Sequence, residues 1–147
     1  MHETACHCLA LRRAARTMTG AYDAALGDLG LTVAQFALLR GIQKVGPASI
    51  SELAEAVRLD RTTLGRNLDP LVSMGLVDRV AGDKDGRERR IKLTGRGRTV
   101  IKSALPLWRE TQARVEAALG ADKVAALHAL LADIDQIAQS SQDRASS

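Results

Sequence analysis

The chain has 147 residues, of which 46% are apolar, enough for one domain with a core and too apolar for an intrinsically disordered chain. Aromatic residues are only 2%, so the core must be built from Leu, Val, Ile and Ala, which favours helices over a β-sandwich. The formal net charge is +4, and no apolar run approaches the roughly 18 residues that a membrane-spanning helix needs.

The charge is unevenly placed. Residues 58 to 98 hold 11 Lys and Arg against 6 Asp and Glu, a net of +5; the rest of the chain holds 10 against 11, a net of −1. A basic surface confined to the middle third suits a polyanion. At the N-terminus arginines follow the short apolar stretch instead of preceding it, so no signal peptide is expected and the predicted location is cytoplasmic.

In chain order, Leu11, Ala14, Ala15, Met18, Ala21, Tyr22, Ala25 and Leu29 recur at steps of three and four, a helical stripe closed by Gly27 and Gly30. Thr32 and Gln35 form a capping-box pattern for a second helix, which Gly46-Pro47 ends. A short third helix starts at Ser49 or Ser51, with Leu53, Ala54 and Val57 on its buried side. Arg58-Leu59 is a turn, and Asp60 caps a fourth helix from about Arg61 to Met74. Pro70 lies inside that helix and predicts a bend or a loosened turn near Arg66, because proline removes the bond to the carbonyl four residues earlier.

After Gly75 the apolar period changes to two. Leu76 to Val80 and Arg90 to Leu93 read as strands around a charged tip, Gly82 to Glu88, that contains Asp85-Gly86. Thr94 caps a long helix running to about Leu119, with Pro106 as a kink, and a last helix runs from about Asp122 to Ala138. The expected fold is mainly α with a small β-hairpin wing: a winged helix-turn-helix of six helices in one domain, 9–138. The helix-turn-helix covers 51–74, the wing 76–93, the dimerisation helices 9–29 and 95–138, and a polar tail 139–147.

The fourth helix has two unlike faces. Steps of 100° put Leu64, Leu68, Leu71 and Val72 on one side and Thr62, Arg66, Asp69 and Ser73 on the other, with Thr63 and Asn67 flanking. Hydroxyls, a guanidinium and an amide near a helix start are the groups that read base edges in a major groove, where Arg bridges guanine and Asn bridges adenine. Arg61, nearer the apolar side, is a better phosphate ligand. At the wing, Asp83, Lys84, Asp85, Arg87, Glu88, Arg89, Arg90 and Lys92 crowd a dozen residues. Arg87 is best placed to enter a narrow minor groove, with Asp85 holding its guanidinium. The candidate DNA-binding set is therefore Arg61, Thr62, Thr63, Arg66, Asn67, Lys84, Asp85, Arg87 and Arg89. A solvated helix face and an exposed Asp85–Arg87 pair remain the competing readings.

The stretch Asp85-Gly86-Arg87-Glu88-Arg89-Arg90-Ile91-Lys92-Leu93-Thr94 resembles the wing signature of the MarR family, Asp-x-Arg, five residues, Leu-Thr. Ser51-Glu52-Leu53-Ala54 resembles the start of that family's first helix-turn-helix helix, and Leu68, Leu71, Gly75, Leu76 and Val77 its recognition-helix exit. The resemblance covers roughly Leu9 to Ala138. It implies a dimer built from the N- and C-terminal helices, binding pseudo-palindromic double-stranded DNA, usually as a repressor released by a small ligand or by cysteine oxidation.

A dimer is also expected from the residues themselves. Val100, Ala104, Leu107, Trp108, Val115 and Leu119 form one apolar row, and Val124, Leu127, Leu130, Leu131, Ile134 and Ile137 form another that a monomer of this size would leave in water. A two-fold partner covers it and sets two recognition helices about 34 Å apart.

Cys6-x-Cys8 lies ahead of the first helix with His2 and His7. These make a poor zinc set, so no metal and no cofactor is expected. With Arg12 and Arg13 nearby, thiolate oxidation, a Cys6–Cys8 disulfide, an intersubunit bridge and two inert thiols all stay open. An effector pocket, if the chain has one, should involve Tyr22 and Trp108, which are equally compatible with plain core packing. No phosphate loop, nucleophile elbow or metal-ligand pair marks an enzyme. The rival reading is a winged helix whose wing contacts another protein.

Overall fold

A computed structural model describes residues 6–84 and 86–145. The chain groups into two compact units, one up to Trp108 and one from Arg109. The elements are α1 (His7–Leu26) with a following 3-10 turn (Gly27–Leu29), α2 (Val33–Val45), β1 (Ala48–Ser49), α3 (Ile50–Val57), α4 (Arg61–Ser73), β2 (Val77–Ala81), β3 (Arg89–Leu93), α5 (Gly95–Leu119) and α6 (Ala121–Ala145).

The helix starts follow from their side chains. Thr32 accepts from the Gln35 amide while the Gln35 side chain accepts from the Thr32 amide, and Ser49 and Glu52 repeat the exchange at α3. Ser49, not Ser51, is therefore the cap. Each reciprocal pair satisfies two amides that the helix cannot. Asp60 Oδ1 accepts from the Thr63 amide at 2.9 Å and so starts α4. Asp23 of α1 accepts from the Val33 amide at 2.7 Å and ties α1 to the start of α2.

Within the first unit the core gathers the apolar sides of α2, α3, α4, the sheet and the start of α5: Leu39, Leu53, Leu64, Leu68, Leu71, Val77 and Ile91 are all fully buried. Burying each of the leucines is worth roughly 1.5–3 kcal/mol, so the one-sided leucine row of α4 is what anchors that helix. The polar face is left outward as a by-product.

Three strands pair in the antiparallel order β1-β3-β2, with Ala48 opposite Ile91 and Val77 opposite Leu93. Only two strands were expected. β1 is two residues long, too short for a period, and shares Ser49 with the cap of α3. α4 runs unbroken through Pro70, and α5 through Pro106. The last helix continues to Ala145, where a polar tail from residue 139 was expected; residues 139–145 contain neither glycine nor proline to stop it. Among the described residues, no single helix is long and apolar enough to cross a membrane.

The second unit holds the end of α5, a break at Gly120 and α6. The row expected to be apolar on α6 lies in water in the single chain, with Leu130 61% and Ile137 67% exposed and Leu127, Leu131 and Ile134 between 37% and 40%. At the other end of the chain, α1 buries only Tyr22 and Leu26 and leaves Leu9 67% exposed.

Candidate nucleic-acid interface

α3 and α4 are joined by a three-residue turn, Arg58 to Asp60. The Leu59 amide reaches back to the Ala54 carbonyl at 3.0 Å, and Asp60 immediately starts α4. Arg61 donates from Nη2 to Ser51 Oγ, linking the start of α4 to the start of α3. This clamp holds α4 with Thr62 and Arg66 exposed and Leu64 and Leu68 inward.

Two contacts fix the wing to this pair of helices. Arg79 of β2 donates to Asp69 of α4 at 2.5 Å. Arg90 of β3 donates to the Pro47 carbonyl at 2.7 Å and to Glu52 of α3 at 3.3 Å, and it also lies 3.6 Å from Glu88. Exposed ion pairs contribute little to stability, under about 1 kcal/mol each, so their effect here is to set orientation. The loop of the hairpin closes through the Gly82 amide and the Glu88 carbonyl at 2.8 Å, which leaves Lys84 and Arg87 exposed at the tip and Arg89 exposed at the start of β3.

The expected site residues thus divide. Thr62, Arg66, Lys84, Arg87 and Arg89 are exposed on α4 and the wing. Arg61 is exposed but engaged with Ser51. Thr63 is half-buried and its hydroxyl donates to Asp60 at 2.5 Å, so it serves the cap first. Asn67 is half-buried beside a cavity of about 400 Å³ walled by α2 and α3, including Ala37, Gly41 and Val57. Asp85 lies outside the described residues, as does His2. Arg79, Arg90, Asp69 and Glu52 are positioning residues that the sequence does not single out: residue order shows Asp69 only as an outward-facing position and Arg90 only as one wing charge among several. Their roles depend on partners 10 and 38 residues away, and residue order alone does not reveal these.

Two carboxylates at the helix starts, Glu52 and Asp60, are held below their ordinary pKa. Hydrogen bonds from Ser49, backbone then hydroxyl, lower Glu52, and the nearby Arg90 charge adds to this. Hydrogen bonds from the Thr63 hydroxyl and amide lower Asp60. A depressed folded-state pKa adds stability above the unfolded-state value and loses it as pH falls through the folded one. We expect melting temperature to fall as pH drops below about 4, and this acid loss to be smaller in Asp60→Asn, which keeps a capping oxygen that does not titrate in this range. Thermal melts between pH 3 and 6 check it; equal pH dependence in the variant would contradict it.

Cys8 lies within α1 and Cys6 stands at its N-cap position without a side-chain capping bond, rather than both preceding the helix; both are exposed and free. Cys6 lines a cleft with Arg12, Arg13 and Arg16. Trp108 lines a cavity of about 330 Å³ with Val33, Phe36, Ala37, Arg40 and Leu105, and its ring centroid is 6.3 Å from that of Phe36. Tyr22 is buried and is not among the residues lining that cavity.

The model of the MarR family matches residues 29–88, which run from the 3-10 turn through the wing loop. Over the longer chain, the transcriptional regulator MosR of Mycobacterium tuberculosis, solved with DNA, is 42% identical with a TM-score of 0.79, across 92% of this chain and 97% of MosR. This chain belongs to the MarR family. A mutant Escherichia coli MarR complexed with operator DNA is 29% identical with a TM-score of 0.76, across 84% of this chain and 89% of that one. A probable transcriptional regulator from Pseudomonas aeruginosa is 27% identical with a TM-score of 0.79, across 87% and 96%. The MarR-type architecture, six helices with a small antiparallel sheet, is the winged helix-turn-helix expected from the sequence.

Proposed function

We propose that this MarR-family chain is a homodimeric cytoplasmic repressor that binds a pseudo-palindromic operator in double-stranded DNA. One observation carries the reading: α4 turns Thr62 and Arg66 outward, while the Asp69–Arg79 and Arg90–Glu52 contacts tie it to a wing whose exposed tip carries Lys84, Arg87 and Arg89. The family's solved members bound to DNA support it. α4 enters the major groove, Arg66 reads a base edge, and the wing tip follows the neighbouring minor groove. Arg61 and Lys84 serve phosphates.

Duplex titrations across salt test the reading. Phosphate contacts release counterions, so log K should fall steeply with log salt, by about 0.9 per neutralised phosphate. Arg87→Ala should weaken binding roughly tenfold, and Arg66→Ala should also relax base preference at one position by about 1–3 kcal/mol. Absence of duplex binding even at low salt would favour a wing that contacts protein.

Release is proposed to come from either of two sites. The cavity beside Trp108 has apolar walls and one guanidinium, Arg40, which suits a small aromatic anion. The exposed Cys6 and Cys8 thiols suit oxidation by peroxide to a disulfide, with loss of two waters. A protein carrying Cys6→Ser and Cys8→Ser should keep its DNA affinity under peroxide while the parent loses it; an unchanged peroxide response in the variant would rule out these thiols.

A further inference from the structure

The backbone conformations of the chain single out Arg58. Among the described residues, five have a positive φ: Gly30, Gly46, Gly75, Gly120 and Arg58, the last in the left-handed helical region with φ 54° and ψ 43°. Glycine adopts this conformation freely, whereas a Cβ crowds the following carbonyl. The sequence thus uses glycine at every such position except the turn between α3 and α4. There it keeps an arginine in strain, and strain of this kind gathers where a side chain has a task.

The packing gives that side chain no other task. Arg58 is exposed, and no ion pair within 4.0 Å involves it among the described residues. Its backbone does the capping: the Arg58 amide bonds the Glu55 carbonyl at 3.2 Å, and a glycine would do the same. The position is nevertheless specific. Arg58 stands two residues before the Asp60 cap and four before Thr62, at the corner where the bracing helix gives way to the groove helix. In a helix-turn-helix the first helix crosses the sugar-phosphate backbone while the start of the second contacts bases, so this corner sits over the groove edge.

We propose that Arg58 is a phosphate contact of the recognition turn, retained at the expense of local backbone strain; this rests on the DNA-binding reading above.

The test compares Arg58→Gly, Arg58→Asn and Arg58→Lys by thermal melts and by salt-dependent titration of a duplex selected for binding the parent. Glycine and asparagine both tolerate the left-handed backbone. Both variants should melt at or above the parent temperature yet bind DNA roughly tenfold more weakly, with the salt slope reduced by about 0.9. Arg58→Lys should restore most of the affinity and the slope. Opposite signs for stability and affinity are what a purely structural role cannot give. Affinity within about twofold of the parent and an unchanged slope, or a parallel fall in stability and affinity, would overturn the assignment. If the parent itself bound no duplex, the DNA reading would fail first and this inference with it.

Discussion

Replacing Leu130 and Ile134 of α6 by glutamate is expected to give a folded, helical monomer that binds operator DNA at least about a hundredfold more weakly than the parent. The two side chains are one turn apart on α6 and are 61% and 40% exposed in the single chain, and neither belongs to the buried core, so the substitutions remove little packing within the protomer. In the proposed dimer the same positions meet a partner, and buried unpaired carboxylates there cost several kcal/mol. Loss of the partner costs more than contacts. Two linked recognition units bind two half-sites with an effective-concentration advantage of about 10²–10⁴, and a monomer forfeits it. Sedimentation of the variant, with circular dichroism to verify its helix content, checks the first claim, and anisotropy titration the second. A variant that still sediments as a dimer would place the two-fold interface elsewhere.

Gly97→Ala is expected to destabilise the free protein by about 2 kcal/mol, although it puts a better helix former into α5. A Cβ at Gly97 would stand 2.2 Å from the Leu76 carbonyl oxygen and 3.1 Å from Leu93 Cδ2. That carbonyl already accepts the Thr94 amide at 3.1 Å, and the Thr94 hydroxyl spans the Gly97 amide at 2.9 Å and the Gly75 carbonyl at 2.8 Å. The start of α5, the end of α4 and the first wing strand therefore meet on bare backbone. Alanine gains about 1 kcal/mol of helix propensity but forces an overpacking cost of about 3 kcal/mol, since backbone cannot rotate aside as a side chain can. Gly65→Ala in α4 gives the opposite sign: nothing lies within 4 Å of its Cβ, so the gain of about 1 kcal/mol should appear undiminished. Urea unfolding of the two variants side by side decides it; equal effects would mean that the close approach at Leu76 has no energetic weight.

Much of this architecture can be read from short-range chemistry. The Thr32–Gln35 and Ser49–Glu52 boxes and the Asp60 cap are visible as residue types at fixed spacing, because a helix start is a local hydrogen-bond problem. The outward placement of Thr62 and Arg66 follows from the leucine period of α4. Strand β1 was not legible, since two residues carry no period and its partner lies 43 positions on at Ile91. A helical wheel makes Thr63 available for DNA and sets Asp69 outward, since it knows the face but not the neighbour: the cap takes the Thr63 hydroxyl, and Arg79 takes Asp69. Arg90 shows the same limit from the other side, a wing charge that turns inward to hold Pro47 and Glu52. The close approach of Gly97 to the Leu76 carbonyl is a tertiary fact that residue order does not show.

Selection of bound sequences from a random duplex pool tests the central claim most directly. Two α4 helices related by a two-fold axis should enrich an inverted repeat whose half-site centres lie one helical turn apart, about 10 base pairs. Enrichment of a single unrepeated motif would contradict the symmetric arrangement, and recovery of the unselected pool at every salt concentration would contradict sequence-specific DNA binding itself.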